Sequence, residues 1–175
     1  MELWMPLQNK TKKIAFLAVF TSFAIVLSIV ESMIPVPIPI PGVKLGLANV
    51  VSIMIIVLYG PFDAFTILTV RCLLGMIYSG NPISFALSYT GGILSIIIMF
   101  ILYKSFGKYL SIWSISVTGA IFHNIGQIIA AIIIMKDFAI VSYLPVLLVS
   151  GIITGVLTGI ASQNLLLRIK KYKFF

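Results

Sequence analysis

Seven residues of this 175-residue chain carry side chains that could do chemistry in an otherwise apolar sequence. GAIFHNIGQ (119–127) holds the only histidine, His123, followed at once by Asn124 and four residues later by Gln127. Helical spacing puts His123 and Gln127 on one face and turns Asn124 by about 100° from it. Arg71 stands alone in the run FTILTVRCLLGMI, Lys44 and Asn49 lie in PGVKLGLANV, and Glu31 closes the first apolar run. An imidazole, three carboxamides, two cations and one carboxylate can bind a polar ligand, or they can tie helices together. Lys44 and Arg71 against Glu31 leave a positive balance, which favours an anionic or electron-rich ligand, and phosphate or carboxylate suits an arginine fork. Each residue also has a plainer role. Arg71 could pair with Glu31, Lys44 could snorkel at the interface, His123 could bond a backbone carbonyl, and Asn124 and Gln127 could bridge helices.

The elements that position these groups belong to a membrane. The chain is 61% hydrophobic and 9% charged, against roughly 25% charged in a soluble domain. A span needs ~20 apolar residues, so the length accommodates about six spans in a single transmembrane domain, 1–175, with no separate catalytic domain. The expected spans are about 14–34, 44–59, 61–79, 83–103, 112–135 and 140–167. Prolines at 35, 37, 39 and 41 make the segment after span one stiff and non-helical. Pro61 is placed to start a helix, and SGNP (79–82) is a tight turn.

Alternating these spans from a cytoplasmic N-terminus places Lys10, Lys12, Lys13, Lys104, Lys108, Arg168, Lys170, Lys171 and Lys173 inside. Only Lys44 and Lys136 fall outside. That bias predicts both termini in the cytoplasm. It also accounts for the net charge of +8 without nucleic acid, for which no basic face is large enough. Arg71 then lies about ten residues, or roughly 15 Å, into span three. His123 is similarly deep in span five, Gln127 lies one turn further out, and Lys44 and Asn49 enter from the outer surface. On depth alone, these residues could line one cavity open to the outside, with Asn124 beside it and Glu31 as a charge partner.

Small residues recur along three spans: Gly151, Gly155 and Gly159; Ser88, Gly91, Gly92 and Ser95; and Ala24, Ser28 and Ser32, beside the shorter Ala18 and Ser22. Such stripes let helices approach closely, within the chain or against another subunit. Several chemistries are disfavoured. The four acids Glu2, Glu31, Asp63 and Asp137 are scattered, so no aspartate cluster holds magnesium for prenyl transfer. No GK[ST] phosphate loop is present. The single cysteine, Cys72, excludes an intramolecular disulfide or a CxxC site. No metal or organic cofactor is expected, and a binding or transport subunit is favoured over an enzyme.

PGVKLGLANV (41–50), LYGPFDA (58–64), RCLLG (71–75), LSYTGGILS (87–95), GAIFHNIGQ (119–127) and YLPVLLVSGIITG (143–155) together resemble one membrane family. It is labelled heptaprenyl diphosphate synthase component I, or the Gx transporter family. The family is similar to the substrate-binding S components of energy-coupling factor (ECF) vitamin transporters, which are six-helix proteins with cytoplasmic termini in the bacterial cytoplasmic membrane. The resemblance implies uptake of a small vitamin or cofactor precursor, with a transmembrane T component and two ATPases as partners. It places Ala15, Ala18 and Ser22 on the T-component contact, although Val19 interrupts an AxxxA pattern. It makes the segment from Pro35 to Gly42 a cap over the ligand. The family label implies a different role, as a non-catalytic accessory subunit of heptaprenyl diphosphate and menaquinone synthesis. A structural subunit of a membrane redox complex is a third.

Overall fold

The computed structural model describes residues 10–33, 44 and 46–171, together with the backbone alone of the last two of these. The structure is a helical bundle: α1 Lys10–Ser32, α2 Asn49–Leu58, α3 Pro61–Ser79, α4 Pro82–Phe106, α5 Ile112–Met135 and α6 Leu144–Lys171. A 3₁₀ turn, Phe138–Tyr143, leads into α6. No strand occurs among the described residues.

Local chemistry sets the boundaries. Pro61 and Pro82 occupy the first turns of α3 and α4, where no intrahelical N–H is needed. Asn81 caps α4 by accepting from the N–H groups of Ile83 at 3.0 Å and Ser84 at 3.2 Å. Gly80 closes α3 in the left-handed region (φ 63°), as expected for a glycine C-cap. Ser111 caps α5, and the Asp137 carboxylate accepts from Ala139 N–H at 2.9 Å to start the 3₁₀ turn.

Five helical segments (α1, α3, α4, α5 and the 3₁₀ turn with α6) are long and apolar enough to cross a membrane. The chain is thus a multi-pass membrane protein built as an all-α bundle. The expected span over 44–59 differs from the other five. Its helix covers only Asn49–Leu58, about 15 Å of rise against a hydrocarbon core of ~30 Å. All ten of its residues are buried. NVVSIMIIVL is apolar on every side, the pattern of a helix enclosed by protein. The structure encloses α2 accordingly, with α3, α4, α5 and α6 all packed on it.

The small-residue stripes become helix contacts within the chain. A Cβ on Gly155 would lie 2.7 Å from Val117 Cα, and one on Gly159 would lie 2.5 Å from Trp113 Cα, so α6 packs backbone to backbone on α5. Gly126 meets Gly91 in the same way, with 2.8 Å from its built Cβ to Gly91 Cα, and this draws α5 against α4. Lipid is as apolar as leucine, so this close packing and a few hydrogen bonds hold the bundle, not hydrophobic transfer. Ser116 and Thr158 hydroxyls join α5 to α6 at 3.1 Å, and Ser162 donates to the Val50 carbonyl at 3.3 Å. On α1, Ala24 and Ser28 face inward, whereas Ala15, Ala18 and Ser22 are exposed.

The bundle ends differ in charge. At one end Lys13 pairs with Asp63 at 2.8 Å, and Lys104, Lys108 and Arg168 belong to the same end. Glu31, Lys44, Lys136 and Asp137 belong to the other.

Candidate functional site

Helical spacing builds two walls of a cavity at the Glu31 end. Ile25, Ser28, Ile29 and Ser32 follow i, i+3, i+4, i+7 along α1, and Arg71, Gly75, Tyr78 and Ser79 follow i, i+4, i+7, i+8 along α3. Lys44 and the start of α4, at Asn81 and Ser84, complete the enclosure. The cavity has a volume of about 240 Å³. Its lining carries two cations and several hydroxyls but no carboxylate.

Arg71 is 6% exposed. No carboxylate lies within 4 Å of its guanidinium among the described residues, where the one ion pair is Lys13–Asp63. Among the described residues its guanidinium makes only a long 4.0 Å approach to Cys72 Sγ. Lys44 Nζ donates to Ser28 Oγ at 2.8 Å. A buried guanidinium normally has an acceptor, because leaving it without one costs several kcal/mol, on the order of 3 at a helix centre. Arg71 instead faces a cavity.

Glu31, Gln127 and His123 form a separate hydrogen-bonded knot, in which the buried His123 Nδ1 has no hydrogen-bond partner among the described residues. The Glu31 carboxylate is not on Arg71: its Oε1 accepts from the backbone N–H of Gly46 and, at 3.2 Å, of Leu47. Gly46 has φ 91°, and a Cβ there would lie 2.9 Å from Asn49 Nδ2, so a glycine fits both the turn and the space. Gln127 holds the same segment from the opposite side. Its Oε1 accepts from Lys44 N–H and its Nε2 donates to Lys44 O, both at 3.0 Å. Gln127 Nε2 also contacts His123 Nε2. With the amide donating, His123 Nε2 is the acceptor and Nδ1 carries the hydrogen, a tautomer assigned from the hydrogen-bond network. Gly46 and Leu47 are therefore clamped to α1 by Glu31, and Lys44 to α5 by Gln127.

The expected site residues thus separate into groups. Arg71 and Lys44 share the cavity. Glu31, His123 and Gln127 form the knot, with Asn49 beside it across Gly46. Both amide atoms of Asn49 are buried without a hydrogen-bond partner among the described residues. Asn124 faces α6, where Nδ2 donates to the Leu147 carbonyl at 2.5 Å. Lys44 joins the two regions, with its side chain in the cavity and its backbone in the knot. The expected cap from Pro35 to Gly42 lies outside the described residues.

Besides Ser32 and Tyr78, the polar lining includes Ser28, Ser79, Asn81 and Ser84, which the sequence does not mark as deep polar groups. Ser28 belongs to the period-four stripe of α1, and the other three lie at or beside the SGNP turn. Their types suggest packing and turn formation, and only the apposition of α1 with α3 reveals a shared cavity. Among the described residues, no group of three His, Cys, Asp or Glu side chains could hold a metal ion.

No curated protein and no solved structure matches the sequence. The family described as heptaprenyl diphosphate synthase component I matches residues 20–165, a range that contains every cavity and knot residue, and the chain belongs to that family.

Proposed function

We propose that this chain is a membrane-embedded, non-catalytic binding subunit, S-component-like, that takes a small anionic ligand into the Arg71–Lys44 cavity. The carrying observation is Arg71: a buried guanidinium with no carboxylate within 4 Å among the described residues, facing a cavity that also presents Lys44 and hydroxyls. An anion supplies the missing acceptors. The basic end of the bundle faces the cytoplasm of a bacterial cell under the positive-inside rule, so the cavity end faces outward and the ligand enters from outside. In this reading the partners are a T component and ATPases, with the exposed Ala15, Ala18 and Ser22 on α1 available for contact.

The test is equilibrium binding to the purified chain in nanodiscs, once a ligand has been recovered from the native membrane. Arg71→Ala should weaken binding about 100-fold, the loss of a charge-assisted pair worth roughly 2–3 kcal/mol, without lowering thermal stability. Unchanged affinity removes the proposed site.

The family description favours a second reading, a non-catalytic accessory role in heptaprenyl diphosphate synthesis. Adding the protein to a soluble synthase partner should then raise prenyl transfer. No stimulation, together with co-purifying ATPases, favours uptake.

A further inference from the structure

Three charged side chains act on one another at the cavity end of the bundle. Arg71 and Lys44 line the cavity, and Glu31 stands outside its lining. Both cations interact electrostatically with Glu31, and Lys44 with Arg71 as well. Glu31 and Arg71 are 3% and 6% exposed, so salt and water screen them little. A ligand in the cavity therefore meets the sum of the three charges, not the two cations alone.

That sum depends on Glu31. Burial disfavours the charged form of a carboxyl group. Against that cost, Glu31 Oε1 accepts from the backbone N–H groups of Gly46 and Leu47, and both cations act on it. Both kinds of contact favour a carboxylate over a neutral acid. His123 adds no charge, because its Nε2 accepts from Gln127. Two cations less one carboxylate leave a single positive charge. A singly charged ligand completes the balance. A second charge on the ligand would lie in a site of low dielectric without a partner, which is costly.

The walls set the size of the ligand. At about 240 Å³, the cavity falls below the ~300–1,000 Å³ typical of sites that engulf a drug-sized molecule. Ile25, Ile29 and the Tyr78 ring supply apolar lining beside the polar groups. The space suits a charged head on a small, partly apolar body.

We propose that Glu31 sets the charge of the ligand: it offsets one of the two cations, so the cavity selects a small acid with a single negative charge, such as a carboxylate or a sulfate ester, over a doubly charged phosphate. Glu31 acts from outside the cavity through its field and is a specificity-determining residue. This inference rests on the anion-binding reading above and adds the ligand's charge and the residue that fixes it. The same balance disfavours a diphosphate as the group bound here.

The experiment titrates the full chain in phosphatidylcholine nanodiscs at about pH 8 with phenyl sulfate and phenyl phosphate, two tetrahedral esters of the same shape. The phosphate loses its second proton near pH 6, so it is doubly charged there and the sulfate singly. The wild-type chain should bind phenyl sulfate at least about tenfold more tightly. Arg71→Ala should weaken both, which places the probes in the cavity. Glu31→Gln keeps an oxygen that can accept from Gly46 and Leu47 and removes the charge. Losing that charge helps a dianion about twice as much as a monoanion, so the preference for phenyl sulfate should disappear or invert. Lys44→Met moves the sum the other way and should widen the preference. Phenyl phosphate bound by the wild type as tightly as phenyl sulfate overturns the inference and leaves the anion site standing. A preference that Glu31→Gln leaves unchanged does the same. If Glu31→Gln fails to fold, a preference that stays equal or narrows in Lys44→Met overturns the inference in its place. Binding of neither probe overturns the inference and counts against the anion site beneath it.

Discussion

The cavity and the knot hold similar residues at neighbouring positions, and they use them in opposite ways. In the knot, Glu31 and Gln127 spend their hydrogen-bonding capacity on the backbone of Lys44, Gly46 and Leu47. In the cavity, Arg71 has no such partner among the described residues and faces space shared with Lys44 and hydroxyls. Glu31 and Gln127 are thus satisfied by protein, whereas Arg71 faces a cavity; Asn49, buried without a partner among the described residues and outside the cavity lining, belongs to neither group. Side chains closed by protein hold structure, and those left facing a cavity are the candidates for a ligand. Lys44 shows the division within one residue.

The sharpest way to break this distinction is at Glu31. Glu31→Ala removes a charged acceptor from two buried N–H groups and should cost about 3 kcal/mol or more, read as a lowered unfolding temperature in detergent. It should also release residues 44–47 to proteolysis and weaken binding indirectly through Lys44. Full stability in this variant would mean that the clamp does not hold the segment. Gln127→Ala should come next, at about 2 kcal/mol. Because Gln127 lies outside the cavity, ligand affinity measured in the folded variant should fall less than about threefold. A loss comparable to that of Arg71→Ala would merge the two regions into one site.

Lys44→Met sharpens the comparison within a single residue. The knot uses only the Lys44 backbone, so stability should stay within about 0.5 kcal/mol, while ligand binding should weaken about tenfold in titrations of the purified protein. A destabilised protein with intact binding would reverse the roles assigned to its two halves. The smallest expected effect is at Asn124, which bonds α6 rather than the cavity. Asn124→Ala should cost roughly 1 kcal/mol of stability, seen by thermal unfolding, and leave affinity unchanged.

Much of the fold was legible in the sequence because membrane spans and their punctuation are local signals. Pro61, the SGNP turn and the long apolar runs mark helices that the structure contains. The short helix α2 was harder to place. NVVSIMIIVL is apolar enough for a span, and only its enclosure by other helices shows it to be a core element. For the site, depth places Arg71, Lys44, His123 and Gln127 in one layer. Depth cannot show which way each side chain turns around its helix axis. That rotation divides cavity from knot, sends Asn124 to α6 and directs Glu31 to the Gly46 and Leu47 backbone instead of Arg71. The hydroxyls of Ser28 and Ser84 were invisible as lining because serine is common at helix contacts and near helix starts.

The most direct test is native mass spectrometry of the tagged protein, gently solubilised from its own membrane, beside the Arg71→Ala variant prepared in the same way. The wild-type chain should retain an anionic small molecule, and Arg71→Ala should emerge without it although equally folded. A bare wild-type chain, or the same molecule at equal occupancy on both, would contradict the assignment of the Arg71–Lys44 cavity as the binding site.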